Sequence, residues 1–152
     1  AVGIAKVRGF MLNVTHYDWT AANVQHGLQI SRLTGGKHFV INTAENGRGP
    51  VHYKKWIDRS KHLWRRITVW CNPGLRGLGP APTTATSHPA KVDAYLWINR
   101  PGYAQSCQGR PIAWFIPRAL TLARFATDWE KAPPGTEFGH FKDYPLSAFN
   151  IL

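Results

Sequence analysis

Three apolar, β-branched runs each give way to polar side chains. VRGFMLNV leads to Asn13 and His16, KHFVIN to Asn42, and VDAYLWI to Asn99, Tyr103 and Gln105. Trp70, beside Cys71, comes from an intervening segment that would overhang all three clusters. Such a set supplies an aromatic platform and hydrogen bonds. It does not by itself supply an acid and a base: an amide accepts no proton near neutral pH, so Gln105 cannot act as a general base. Cys71 and Cys107 belong to no Cys-x-x-Cys pair, so zinc is not expected, and neither a metal nor a cofactor is assigned. The two cysteines permit one disulfide, which would stabilise the fold by roughly 3–4 kcal/mol and indicate an oxidising compartment. Two buried free thiols are the alternative.

The elements that must position these residues are legible in outline. Val7–Val14 reads as a buried strand. Thr20 then offers an N-cap to a helix through AANVQHGLQISRL, with apolar residues at 21, 24, 28 and 33 and a stop at Gly35-Gly36. Lys37–Asn42 is the next strand, and a strand–helix–strand unit implies parallel pairing. From Thr43 to Ala90 recurrent glycine and proline predict long ordered loops, which are usually functional in a compact domain. Lys91–Ile98 returns to strand, Arg100–Arg110 is a second loop, and Pro117 fits the first turn of a helix through ALTLARFAT. The tail Asp128–Leu152 is expected to wrap the surface. In parallel α/β folds ligands bind beyond the carboxyl ends of the strands, where the polar clusters fall.

Charge adds a second theme. Nineteen Lys and Arg against eight Asp and Glu give a formal net charge of +11, which favours a polyanionic partner. The cations are densest in Lys54–Arg66, KKWIDRSKHLWRR, interleaved with Trp56 and Trp64. That segment reads either as a track for phosphates and stacked bases or as a solvated loop or helix face with its tryptophans turned inward. No run is long and apolar enough for a membrane span, and AVGIAKVRGF lacks the features of a signal peptide. Residues 1–152 are expected to form a single domain, and a start without methionine resembles a processed or truncated product.

Four segments in order, GFMLNVTHYDWT, GGKHFVINTAENGRGP, VWCNPGLRGLGPAPTTAT and VDAYLWINRPG, resemble signatures of glycoside hydrolase family 6, the cellulases that act on β-1,4-glucans. The resemblance runs from about Val7 to Arg124. It implies an α/β fold, here a partial, distorted, TIM-like β/α barrel of parallel strands with long loops at their C-terminal ends. By extent the chain resembles the C-terminal portion of the catalytic domain, without the region that holds the family's general acid. The family inverts anomeric configuration, which requires an acid at the leaving oxygen and a base activating water on the opposite face.

The family's Lys-x-Pro-Gly-Glu-x-Asp-Gly loop is matched by Asn99-Arg100-Pro101-Gly102-Tyr103-Ala104-Gln105-Ser106. Its lysine thus corresponds to Asn99, its glutamate to Tyr103 and its candidate base to Gln105. Its Val-Ile-Asp-Thr run is matched by Val40-Ile41-Asn42-Thr43, its Thr-Gly-Asp-Pro-like turn by Thr86-Ser87-His88-Pro89, and an asparagine by His16. Carboxylates have been replaced repeatedly around the site. Trp70 matches a sugar-stacking tryptophan, with a buried core indole as the alternative. Cys71 and Cys107 match the pair the family bridges, which implies a secreted, extracellular protein. Asp93 is read as structural.

The resemblance therefore implies substrate binding by Trp70, Asn13, His16, Asn42, Asn99 and Tyr103 to β-1,4-glucan or another polysaccharide, with no catalytic residue retained. Three readings stay open: a β-1,4-glucanase, a non-catalytic carbohydrate-binding pseudoenzyme, and a nucleic-acid-binding derivative using Lys54–Arg66, an insertion relative to the family pattern. Exposed sheet edges would call for an upstream half-barrel fragment or a homo-oligomer.

Overall fold

The computed structural model describes residues 3–14, 16–104 and 113–126. In chain order the elements are β1 (Gly9–Leu12), α1 (Thr20–Leu33), β2 (His38–Asn42), β3 (Val51–Asp58), β4 (Leu63–Val69), β5 (Val92–Leu96), β6 (Tyr103–Ala104), β7 (Ala113–Trp114) and α2 (Ile116–Arg124). β1, β2 and β5 form a parallel sheet in the order β1-β2-β5. Leu12 pairs with Ile41 and Asn42 with Leu96, so the three strands end side by side.

The expected strand–helix–strand unit is present. Its core is Val24 of α1 against Phe39, Ile41, Val92 and Tyr95, with Phe10, Leu12 and Leu28 packed around them. Phe10 and Phe39 stack across neighbouring strands, centroids 5.2 Å apart, a favourable cross-strand aromatic pair. Thr20 is the first helical residue rather than the cap, a position held by Trp19. The amide of Asn23 donates back to the carbonyls of Asp18 and Trp19 at the helix start. At the other end the Gly36 N–H donates to Ser31 and closes the helix. Leu33, counted on the apolar face from its spacing, is instead exposed.

The largest correction concerns the segment 43–90. It is not loop throughout: β3 and β4 form an antiparallel hairpin, pairing Val51 with Val69 at the root and Trp56 with Trp64 near the tip. Lys54–Arg66 is therefore neither loop nor helix face but the outer part of a β-ribbon. The ribbon's tryptophans are not uniformly turned inward, since Trp56 is 45% exposed. β-branched and aromatic residues on both arms explain the strands, and Asp58, accepting from the Ser60 and Lys61 N–H groups, shapes the turn. The second glycine loop also holds a strand, β6, which pairs with β7. Pro117 sits in the first turn of α2 as expected. The Asp128–Leu152 tail lies outside the described residues.

The two ends of the parallel sheet differ. At the N-terminal end the Asp93 carboxylate accepts from His38 Nδ1 at 2.7 Å and from Arg8 Nε at 3.1 Å. These hydrogen bonds, His38 first, hold its carboxyl below the usual range. That is the structural role read from the sequence. The C-terminal end holds the candidate site.

Candidate functional site

Asn42 joins three strand ends. Its Nδ2 donates to the Asn13 carbonyl at 3.1 Å, and its Oδ1 accepts from the N–H groups of Ala44 at 3.3 Å, Ile98 at 3.0 Å and Asn99 at 3.5 Å. Asn13 reciprocates: its Nδ2 donates to the carbonyls of Asn42 at 3.0 Å and Asp18 at 3.3 Å, and its Oδ1 accepts from the Asp18 N–H at 3.1 Å. An amide suits this position because it offers both signs to backbone groups. Asn13 adopts φ 62°, a left-handed conformation that asparagine tolerates better than most side chains. Both side chains are buried, Asn42 at 2% exposure. The structure thus brings Asn13, Asn42 and Asn99 together, with the first two holding backbone.

Around this clasp lies a rigid rim. The Asn46 amide donates to the Asp18 carbonyl and to Thr20 Oγ1, each at 3.0 Å. The turn it begins ends at Gly49, whose φ is 64° and where a Cβ would fall 2.2 Å from the Trp19 indole. Only glycine fits there. Buried Arg76 donates from Nη1 to the carbonyls of Arg48 and Gly49, fixing the foot of β3. At the second residue of β3, His52 Nδ1 lies 3.0 Å from Thr68 Oγ1 across the ribbon. Burial, then the Arg66 charge, hold its imidazole below the ordinary value.

β4 delivers Trp70. Its side chain is 55% exposed, which overturns the buried-core alternative and leaves an indole open to solvent directly beyond the ribbon. His16 is likewise exposed and Asn99 half-buried. Tyr103 is half-buried in a small aromatic group: Arg100 lies 4.5 Å over its ring, and Trp114 meets it edge-on at 5.5 Å. Gly102 permits this packing, since a Cβ there would fall 2.3 Å from the Trp114 ring. Gln105 lies outside the described residues, as does Cys107. Cys71 is not a free thiol.

One functional-looking feature was not anticipated. Glu45, just beyond the clasp, is 4% exposed and Arg118 of α2 is 6% exposed. Arg118 binds the carboxylate through both arms, Nε to Oε1 at 3.2 Å and Nη2 to Oε2 at 2.7 Å, and also donates to Tyr17 Oη at 3.3 Å and to the Pro73 carbonyl. Burial opposes the charge on Arg118, but the Glu45 carboxylate more than offsets it and holds the guanidinium above its usual pKa. Burial, reinforced by Glu45, pushes the Tyr17 phenol up. Glu45 is thus committed to a buried ion pair. The residues are 73 apart in sequence, and no local pattern links them. Among the described residues, no group of three His, Cys, Asp or Glu side chains could hold a metal ion, and no helix is long and apolar enough to cross a membrane.

Comparison with known proteins places this surface in context. Residues 1–110 match the model of the glycosyl hydrolases family 6. Endoglucanase A of Cellulomonas fimi is 38% identical over 128 residues, covering 82% of this chain and 25% of that protein. Endoglucanase A of Thermobispora bispora is 34% identical over 128 residues, covering 83% of this chain and 24% of that protein. The chain therefore spans about a quarter of the length of these curated relatives. The structure of endoglucanase Cel6 from Mycobacterium tuberculosis, in complex with methyl-cellobiosyl-4-deoxy-4-thio-beta-D-cellobioside, superposes with a TM-score of 0.64 at 41% identity. The match covers 82% of this chain and 39% of that one.

Proposed function

This chain belongs to glycosyl hydrolase family 6, and on that premise we propose that it binds β-1,4-glucan across the C-terminal ends of β1, β2 and β5, with little or no hydrolysis of its own. The observation that carries the reading is Trp70, an indole 55% exposed just past β4 and three residues before Pro73, whose carbonyl meets the Arg118 that holds Glu45 beyond β2. A flat apolar face with polar groups nearby is what a sugar ring needs, since its C–H face packs on the aromatic and its hydroxyls seek donors and acceptors. In this reading Asn99, Tyr103 and His16 contact the glycan. Asn13 and Asn42, whose amides hold the strand ends, position the surface from beneath. The cello-oligosaccharide analogue bound by the Mycobacterium tuberculosis relative supports the substrate class.

Weak turnover follows from chemistry. Inverting hydrolysis requires two carboxyl groups, and the amide of Gln105 stands where the family motif has aspartate. An amide in place of a proton-transfer group forfeits a rate factor of roughly 10²–10⁴. The chain would form part of a β/α barrel, with Cys71 bridged to Cys107 as suits a secreted protein. Titration with cellotetraose, followed by tryptophan fluorescence, tests the reading. Saturable binding that survives high salt and is lost in Trp70→Ala is expected. Equal binding by Trp70→Ala would refute the platform, and reducing-sugar release comparable to an intact endoglucanase would refute the inactive assignment.

A further inference from the structure

We propose that the β3–β4 ribbon is a binding arm for an anionic β-1,4-glycan, a carboxylate-bearing relative of cellulose, so that this site prefers an acidic chain to a neutral one. The proposal rests on the glucan-binding reading above and names its substrate class.

The arm is built against its own charge. Register places Lys54 opposite Arg66 on one face of the ribbon and Lys55 opposite Arg65 on the other, and the Lys55–Arg65 pair opposes like charges. Directly opposed like charges destabilise a ribbon, and cross-strand neighbours normally carry opposite sign. Here the acid on the ribbon is Asp58 at the turn, held by Ser60 Oγ at 2.6 Å and paired with Lys61 at 3.7 Å. Arg59 and Lys61 add cations at the tip, and Lys55, Arg59, Lys61 and Arg65 are all exposed. A polyanion laid along the Lys55–Arg65 face would remove the repulsion there.

Among the described residues, acids are few. The acids among the described residues are Asp18, Glu45, Asp58 and Asp93. Glu45 is buried and neutralised by Arg118, Asp58 is occupied at the arm's turn, and Asp93 lies at the opposite end of the sheet with Arg8 and His38. Arg48 and Arg100, both exposed, flank the strand ends. Asp18, which acts electrostatically on His52, stands at the root of the arm, and beyond it a carboxylated glycan would meet the exposed cations of the described residues. Opposed charge raises local ligand concentration at low ionic strength.

Placement favours a glycan over a nucleic acid. The ribbon is rooted in the rim of the glucan surface: Arg76 fixes the foot of β3, and β4 runs straight into Trp70. A strand of eight residues reaches roughly 26 Å, so one polymer stacked on Trp70 can continue along the arm.

The test compares three probes at low and high salt: a cello-oligosaccharide, the same oligomer oxidised to carboxylate at C6, and single-stranded DNA of equal charge. Expected is tighter binding of the oxidised oligomer than the neutral one by about ten-fold or more at low salt, falling toward parity as salt screens it. Lys55→Gln with Arg65→Gln should abolish most of this preference while leaving neutral-oligomer binding unchanged, which also shows that the variant is folded. The reversed pair Lys55→Glu with Arg65→Glu should turn the preference toward the neutral oligomer. Equal affinity for neutral and oxidised oligomers, or a preference untouched by these substitutions, overturns the arm alone. DNA bound more tightly than the oxidised oligomer, and lost in the same variants, replaces the glycan by a nucleic acid. Failure of the wild type to bind either oligomer overturns the glucan-binding reading along with it.

Discussion

The strand-end clasp and the β3–β4 arm are neighbours in the chain, yet they use polar groups in opposite ways. In the clasp Asn13 and Asn42 bond to backbone donors and acceptors a few ångströms away, and both side chains are buried. On the arm, Lys55 lies opposite Arg65 across the ribbon and both are exposed. Buried polar groups must be satisfied internally because water cannot do it. Exposed charges can remain mutually repelled because water and salt screen them. The clasp fixes geometry, whereas the arm holds charge ready for something outside the molecule.

The sharpest way to break the comparison is to treat the buried region as if it were the arm. Glu45→Gln leaves the Arg118 charge buried without its counter-ion and should cost about 3–5 kcal/mol, read as a lowered urea midpoint. Glu45→Leu with Arg118→Met should recover much of that loss, since an apolar pair of similar volume needs no compensation. A double variant no more stable than Glu45→Gln would contradict this account.

Next in size is Asn42→Asp. It keeps the acceptor for the Ile98 N–H but turns the donor facing the Asn13 carbonyl into a second acceptor. The expected loss is about 1–3 kcal/mol at neutral pH. It should be partly reversed in acid, where a protonated carboxyl donates again. Unfolding curves at two pH values check this, and a pH-independent penalty would mean the amide is not the group that matters.

The smallest effect separates the two regions by pH. His52 at the root of the arm titrates below its ordinary 6.5, so the unfolded chain takes up its proton first. The stability this imidazole allows is whole above that value and is lost as pH falls through the lower folded value. Asp93, lowered from 3.8, keeps its contacts until the solution is far more acidic. Hydrogen-exchange protection should therefore weaken in β3 and β4 before it weakens in β2 and β5, and His52→Gln should remove the early step. Simultaneous loss in all four strands would sink the distinction.

Much of the fold was legible from local pattern. β1, α1, β2, β5 and α2 follow apolar periodicity, a glycine stop and an early-turn proline, and these signals act within a few residues. The ribbon was not legible because glycine and proline on both sides dominate the reading of 43–90, and clustered cations are poor strand formers without tertiary support. At the site, polar residues after each strand pointed to the right end of the sheet. Their division of labour did not show: nothing in the sequence distinguishes an asparagine that clasps backbone from one that faces solvent.

By itself the sequence determined the family, the parallel strand–helix–strand unit and the polar strand ends. These are properties of residue type and short spacing. Tertiary structure alone decided that Trp70 is open, that Asn13 and Asn42 are locked into three strand ends, and that Glu45 is sealed against Arg118. It also decided that Lys54–Arg66 stands as a ribbon of opposed cations. Each of these depends on which distant segments exclude water together. Burial is a property of the assembled chain, and it sets whether a polar group must be satisfied inside or is left free to recruit a ligand.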